Sequence, residues 1–489
     1  MMAKVSSGAL RRAARALRIP CGTLLATFAI AVPAHAASPG QDRNEARAML
    51  ATLVAFRTTA SGGQTAAMAA WLRERFLQAG FAAGDIELLP VDGEAALIVR
   101  YRGAPSARHK PVLFLAHMDV VDAAAGEWST DPWLLTEKDA ALYGRGVVDN
   151  KYGLLTLAHA FIRLKREGFV PDRDLVLAFS GDEETTFGTT RALAQRLQGA
   201  AFAVNSDAGG GYRGKDGTAT YGWQAAEKTY VTFAVTARNP GGHSSAPRPD
   251  NAIYELADAL GKLARHRFPV RWNEVSLQAH AAMAPMVPGA TGEALARFAR
   301  NPRDTSALAV LEQDPGIDRD LRTTCVATML QGGLVENALP TSATATVNCR
   351  VFPGDTVAAL QSTLADVMGN PKLEIRQLKE AFESPVSALP AEAEKALRSV
   401  LALRAPNASI APYMEAGGTD GMVYRRAGIP TIGLGPLFSS EESNYNFHGN
   451  NERLPVAEFE HGLDHYYRFI RALASGDGVP AARATTAGD

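Results

Sequence analysis

The sequence predicts an α/β fold, a mostly parallel sheet with helices on both faces, interrupted by a smaller α+β lid. Three observations lead there. Short apolar runs rich in β-formers alternate with helix-length stretches from about residue 45 to 204; half-exposed strands take over near residue 220; and the first grammar returns beyond about residue 381. At 489 residues the chain suits two or three domains, each burying its own core. Its 50 basic and 51 acidic side chains leave a formal net charge of −1, which provides no basic field for nucleic acid. Three cysteines without CxxC spacing argue against a disulfide scaffold, a zinc finger or a redox motif.

The elements follow in order. Residues 1–36 read as a secretory signal: Lys4, Arg11, Arg12, Arg15 and Arg18, then an apolar run from Leu24 to Val32, then Ala34-His35-Ala36. The run is shorter than the roughly 20 residues needed to span a bilayer, so we expect export to the periplasm or medium with no stable membrane anchor after cleavage. Met68–Ala79 is helical and ends at Gly80; Ala96–Arg100 and Val112–Leu115 are strands. Lys151–Glu167 is an amphipathic helix with Leu154, Leu157, Ala158 and Phe161 on one stripe. Leu175–Phe179 reads as strand, Thr189–Leu197 as helix and Ala201–Val204 as strand. The lid, residues 223–352, contributes strands at Tyr230–Thr236, Thr324–Leu330 and Ala343–Val351 and a helix at Asn251–Leu263, while the Ala- and Pro-rich stretch 275–320 has no clear assignment. A helix at Thr356–Met368, a strand at Pro430–Gly435 and a closing helix at Val456–Leu473 complete a catalytic domain of residues 40–222 and 353–475, with 476–489 as a flexible tail.

Residues with metal-ligand chemistry sit where strands end. His117 and Asp119 close PVLFLAHMD; two apart on extended chain, they face the same side, so the Asp119 carboxylate can accept the free imidazole N–H of His117. Taken alone, that pair is weak and fits a satisfied structural histidine better. Asp149, in GRGVVDNK, precedes the helix and fits either a metal ligand or an N-cap. Glu183 and Glu184 follow LVLAFSGD, where two like charges at a buried strand end call for a cation. Asp207 ends AFAVNSD ahead of three glycines, and His448 precedes the last helix. Imidazoles combined with carboxylates favour zinc or a similar first-row ion over calcium or magnesium, and a shared carboxylate between two ions suits a hydrolase.

The ordered motifs HMD, GRGVVDNK, SGDEE, NSDAGG, GGHSS and a late histidine resemble the M20 family of metallopeptidases over essentially the whole mature chain. That resemblance implies two divalent metal ions, most readily Zn2+ with Co2+ or Mn2+ as alternatives. His117 and Asp207 would complete one site, Glu184 and His448 the other, with Asp149 bridging and a cis bond after it. Glu183 would be the general base and later acid, and Asp119 would orient His117. His243, in GGHSS, would reach an active site, often a partner subunit's, to stabilise an oxyanion, although a surface histidine explains it too. Asn337 and Arg350 match lid positions that bind substrate, and Arg350 suits a free carboxylate. Gly418 and Thr419 lie in GGTD, where backbone donors precede a helix. The wording HMDVV followed by Glu127–Trp133 looks most like Gly-X carboxypeptidases and N-acyl-amino-acid hydrolases. The expected substrate is therefore a small peptide or N-acyl amino acid cleaved beside a free carboxylate, with a homodimer joined through the lid. The alternatives are another amidase or deacetylase of small amino-acid derivatives, and a non-catalytic metal-stabilised binding protein. The signature of the last would be loss of Glu183 or a ligand, and none is missing. Cys325 and Cys349 fall on strands that would pair across 332–340, as a disulfide or as two small buried side chains.

Overall fold

The apolar runs predicted as strands lie side by side. In the computed structural model, which describes residues 39–475 apart from 216 and 441, one ten-stranded sheet runs Ile86–Val91, Glu94–Tyr101, Arg173–Ser180, His109–His117, Phe202–Asn205, Thr431–Gly433, Ala219–Glu227, Gly210–Arg213 and Phe438–Ser440, with Ser409–Glu415 paired to Ala219–Glu227 off this path. Its four central strands, from Arg173–Ser180 to Thr431–Gly433, are parallel, whereas Ile86–Val91 and Glu94–Tyr101 join antiparallel. The pleat sends alternate side chains to opposite layers: Phe114 and Ala116 pack with the cluster that includes Leu154 and Phe469, while Leu113 and Leu115 pack with the one that includes Leu193 and Val423. Helices thus cover both faces. The expected signal segment 1–36 and tail 476–489 lie outside the described residues, and among those described no helix is long and apolar enough to cross a membrane.

Lys151–Arg166 departs from its expected amphipathic character, being buried nearly all round from Lys151 to Ile162. The sheet covers one side, and the helices Pro39–Ala55 and Val456–Leu473 cover the other.

A second sheet is wholly antiparallel, in the order Thr324–Gly332, Ser342–Val351, Thr229–Arg238, Glu374–Gln377. Ser342–Val351 alternates buried and half-buried along its length, and Ala345, Val347 and Val351 meet Leu256 and Leu263 of helix Ala252–Arg265 and Leu360 and Leu364 of helix Val357–Met368. This layer extends past the expected boundary at 352, because it takes both that helix and its fourth strand from later sequence. It begins after Ala219–Glu227, a strand of the large sheet, and so after the expected residue 223. Cys325 stands opposite Cys349, and the two form a disulfide.

The unassigned stretch 275–320 is helical: Glu274–Met283, Gly289–Arg300, Thr305–Leu311 and Pro315–Asp318 gather around Leu295, Phe298, Leu311 and Leu321. Asn273, Asp304 and Asp314 start three of these helices, each side chain accepting first-turn backbone N–H groups.

Candidate metal centre

Parallel strands end in loops on one edge of a sheet, and there the candidate ligands meet. His117 is the last residue of its strand; Glu183, Glu184 and Asp207 follow the ends of the two neighbouring strands; Asp149 precedes helix Lys151–Arg166. His117 Nε2 lies 3.0 Å from Asp149 Oδ1 and 3.6 Å from Asp207 Oδ1. His448 Nε2 lies 3.0 Å from Asp149 Oδ2 and 3.0 Å from Glu184 Oε1. Asp149 therefore turns one oxygen to each histidine, and one ligand atom each of His117, Asp149 and Glu184 lie within 4.8 Å of one another. The Asp149–Asn150 peptide bond is cis, and Asn150 Nδ2 donates to Asp207 Oδ1 at 2.6 Å.

Buried neighbours fix each loop. The Asp119 carboxylate accepts the backbone N–H groups of Glu183, at 3.1 Å, and of Glu184, at 2.9 Å. Toward the imidazole both acceptors of Asp119 are in reach: His117 Nδ1 is 2.9 Å from its main-chain carbonyl, the nearer of the two, and 3.5 Å from its carboxylate. The strand stops at His117, so the alternation that would align the two side chains ends there. Asp182 caps the next helix, accepting from Gly188 N at 2.6 Å and Thr189 N at 2.9 Å. His448 sits in the left-handed region at φ 56°. Its loop is tied down by Arg145, whose Nη2 donates to Gly449 O at 3.0 Å, and by Glu452, which accepts from Arg145 and from three amides of the Asp149 loop. Arg145 and Glu452 escaped the sequence reading. The arginine lies in plain sight in GRGVVDNK, but nothing local marks Glu452 as its partner.

The site's electrostatics ask for cations. Burial and the nearby Asp149 charge push the Asp207 carboxyl up to about 7 against the opposing pull of His117. Burial also pushes Glu183 well above the usual carboxylate range, with Asp207, Asp420 and Glu184 adding to it. Hydrogen bonds to Asp149 and Glu184 raise His448 to about 10. Burial alone would depress His117, but Asp207 and the hydrogen bonds of Asp119, Asp149 and Asp207 raise it. His117 Nε2 faces carboxylate oxygens of Asp149 and Asp207, so a proton or a cation must stand between them. The donor set of imidazole nitrogens and carboxylate oxygens fits divalent first-row ions. Among the described residues, no hydrogen bond holds the Glu183 carboxylate; only its backbone N–H is engaged, by Asp119.

The remaining candidates divide. His243 and Asn337 sit together on an exposed ribbon, Gly242–His243 against Ala338–Leu339, where Ser244 N donates to Asn337 O at 3.1 Å. His243 Nδ1 meets the Ser245 hydroxyl at 2.7 Å, and neither side chain contacts the carboxylate cluster among the described residues. Arg350 is half-buried, stacks on Tyr230 with 4.6 Å to the ring centroid, and donates to Ala416 O at 3.0 Å beside the Gly417–Gly418 turn. Thr419 serves the fold: its hydroxyl caps helix Asp420–Arg426 and accepts from Asn205 Nδ2 at 3.0 Å, while its N–H donates to Glu227 Oε1 at 2.6 Å. The amide of Gly417 turns to Glu415 Oε1 at 3.3 Å, and among the described residues the Gly418 amide meets no acceptor. A cavity of about 440 Å³ opens on Asp149 and Asp207, walled by Tyr212, Tyr413, Tyr445 and Phe447.

A mixed sheet with a buried carboxylate–imidazole cluster at its parallel strand ends defines a metallohydrolase architecture. Residues 113–472 match the model of peptidase family M20/M25/M40, and the chain belongs to that family of metallopeptidases. It is 26% identical over 385 residues to the N-fatty-acyl-amino acid synthase/hydrolase PM20D1 of Homo sapiens, covering 74% of each chain. The solved dipeptidase Dug1p of Saccharomyces cerevisiae superposes with a TM-score of 0.65 at 16% identity, covering 91% of this chain and 100% of that one. An M20 family metallo-carboxypeptidase of Sulfolobus solfataricus gives 0.63 at 17% identity, covering 88% and 99%.

Proposed function

We propose that this enzyme hydrolyses a peptide or amide bond next to a free carboxylate, in a dipeptide, a short peptide C-terminus or an N-acyl amino acid. The observation that carries the reading is the shared Asp149, with one oxygen toward His117 and the other toward His448. His117, Asp207 and Asp149 would hold one divalent ion and Glu184, His448 and Asp149 the other, with zinc, cobalt or manganese suited to the donors. Bound there, such ions lower the pKa of water and polarise a scissile carbonyl. Glu183 takes a proton from the attacking water and returns it to the departing nitrogen. The two amide hydrogen bonds from the Glu183–Glu184 turn to Asp119 hold that carboxylate in place. Arg350 and the Gly418 turn are the groups suited to the free carboxylate, and the curated human relative's N-acyl-amino-acid chemistry supports such a substrate.

Two further features belong to this reading. The Cys325–Cys349 disulfide supports export to an oxidising compartment. The strand Thr324–Gly332 is a sheet edge that exposes Val326, Met329 and Leu330, and Leu334 just beyond it is 97% exposed. Such an apolar edge supports a lid-to-lid dimer in which His243 and Asn337 serve the neighbouring site. The deciding experiment strips the protein with chelator, restores one defined metal at a time, and assays dipeptides, N-acyl amino acids and the same compounds with the carboxylate amidated. We expect turnover that needs metal and the free carboxylate. Equal rates on the amidated compounds would reassign the enzyme to a general amidase, and no turnover with any metal would leave a binding protein.

A further inference from the structure

We infer that the cavity opening on Asp149 and Asp207 is an acyl-side pocket that selects a planar aromatic group, so that the favoured substrate is an arylacyl amino acid; this rests on the amide-hydrolase reading above. Its position decides which half of the substrate enters. Asp149 and Asp207 line the cavity, whereas Arg350 and the Gly417–Gly418 turn, the groups suited to the free carboxylate, do not. With the scissile carbonyl at the carboxylate–imidazole cluster and the nitrogen side drawn to Arg350, the cavity is left for the acyl arm.

Three aromatic walls stand around that space. Tyr445 and Phe447 form one tilted pair, with ring centroids 5.7 Å apart, and Tyr212 and Tyr413 contact no other ring among the described residues. Two of the rings are fixed: the Tyr413 hydroxyl accepts the Gly209 N–H at 2.8 Å, and the Tyr445 hydroxyl donates to Phe438 O at 2.6 Å. Between the rings, Gly209, Gly210, Gly211 and Gly222 offer bare backbone. Fixed rings and flat backbone suit a flat, rigid group, against which a coiling alkyl chain leaves gaps and loses contacts.

The lining also turns charged arms away. Among the described residues it contains no Lys, Arg or His, so an acidic arm would be buried without a counter-ion. Its two carboxylates belong to the metal centre, where both face His117, so neither is free for an amine. The inner polar side chains are engaged as well: Asn150 Nδ2 donates to Asp207 Oδ1 at 2.6 Å, and Ser206 Oγ donates to Leu115 O at 2.9 Å.

The test uses the full chain loaded with zinc and glycine acylated by phenylpropanoyl or by its saturated counterpart, cyclohexylpropanoyl. The two arms have equal numbers of heavy atoms and the saturated one is the more hydrophobic, so an aryl advantage reports ring contacts. In the wild type, kcat/KM should favour the aryl arm by about tenfold, the equivalent of ~1.4 kcal/mol and the scale of one or two ring contacts. Tyr212→Leu, and independently Phe447→Leu, should each cut that ratio by at least threefold, and a loss common to both substrates cancels. Unchanged ratios in both variants would overturn the pocket. So would a wild-type ratio of one or less with both amides cleaved, or faster cleavage of a succinyl or trimethylammonium-tipped arm, each leaving the hydrolase reading intact. Acetylphenylalanine carries the ring on the other side of the bond, and a larger Tyr212→Leu loss there would overturn the acyl-side placement. If no amide were cleaved, the hydrolase reading would have failed on its own. Calorimetric binding then decides the pocket: tenfold tighter binding of phenylpropanoylglycine than of its saturated counterpart upholds it, and equal binding overturns it.

Discussion

Glu452 offers the sharpest test of how the metal centre is held together. Its side chain is fully buried, and four donors converge on it: Gly146 N and Arg145 Nη1 reach Oε2 at 2.8 Å each, while Val148 N and Asp149 N reach Oε1 at 2.8 and 3.0 Å. Burial pushes its proton affinity up, yet no neighbour accepts, so the carboxylate is the form that fits. Arg145 in turn reaches the main-chain oxygen of Gly449, which joins the Asp149 loop to the His448 loop. Glu452→Gln keeps the size but turns an NH2 group toward two donors. At roughly 1.5–3 kcal/mol for each charged hydrogen bond lost, and with Arg145 left buried and unpaired, the cost should be about 3–5 kcal/mol. That is a large share of the ~5–15 kcal/mol that holds a typical domain. Urea unfolding should show the loss as a lower midpoint at unchanged slope, and equilibrium dialysis should show weaker zinc retention because both ligand loops loosen. Arg145→Met combined with Glu452→Gln should cost less than the two singles added, since no buried charge is then stranded. A midpoint within the error of wild type, with zinc retained, would refute the account of Glu452 as the tie between the loops.

Other outcomes follow from the same geometry. Glu183→Gln should lower kcat by roughly 10²–10⁴, the usual share of a general acid–base, with metal content by elemental analysis unchanged; near-normal turnover would remove Glu183 from proton transfer. Arg350→Met should raise KM for carboxylate-bearing substrates far more than it lowers kcat, and the effect should vanish on amidated substrates. Replacing Cys325 and Cys349 by alanine opens a loop with a sequence separation of 24 and should cost roughly 3 kcal/mol, read as a lower thermal midpoint in non-reducing buffer. His465 is buried, stacked on Tyr221 at 5.9 Å, and held down to about 3 by burial and then by Arg404. The unfolded chain therefore binds this proton first, so the contribution is complete above about pH 6.5 and drains away as pH falls toward 3, by about 1.4 kcal/mol per unit. His465→Phe should flatten that acid slope between about pH 5 and 6.5, and parallel slopes for the two proteins would exclude the histidine as its source.

What was legible in the sequence were features carried by local rules. His117, Asp149, Glu184, Asp207 and His448 each stand at a strand end or before a helix, and the sheet brings those ends together without further instruction. The central strands could be found because they are continuous apolar runs. Ala219–Glu227 was missed: it mixes Gly222, Gln224 and Glu227 with Tyr221 and Trp223, and Glu227 is buried only because Arg425, far along the chain, pairs with it. The helices of 275–320 went unassigned because prolines and alanines obscure their pattern, although Asn273, Asp304 and Asp314 start three of them. The Asp119 carboxylate also accepts the amides of Glu183 and Glu184, and Thr419 caps a helix with its hydroxyl, roles the sequence reading did not assign. Long-range hydrogen bonds to backbone groups leave no mark in residue order.

The same contrast explains why whole-chain charge says so little here. A formal net charge of −1 means no strong overall field of either sign, but it averages over a fold that concentrates Asp119, Asp149, Glu183, Glu184 and Asp207 around His117 and His448. Cationic side chains do not answer that concentration directly: Arg145 is spent on Glu452, and Lys151 Nζ donates to Phe56 O at 2.8 Å, with burial lowering its pKa to about 7. The nearest arginine and lysine thus brace the loops from behind and leave the front of the cluster negative. Carboxylates left buried without a compensating charge cost stability, so their retention here is not explained by folding alone. Keeping the arginine and lysine back holds a standing deficit of positive charge at the strand ends, which divalent ions are suited to fill.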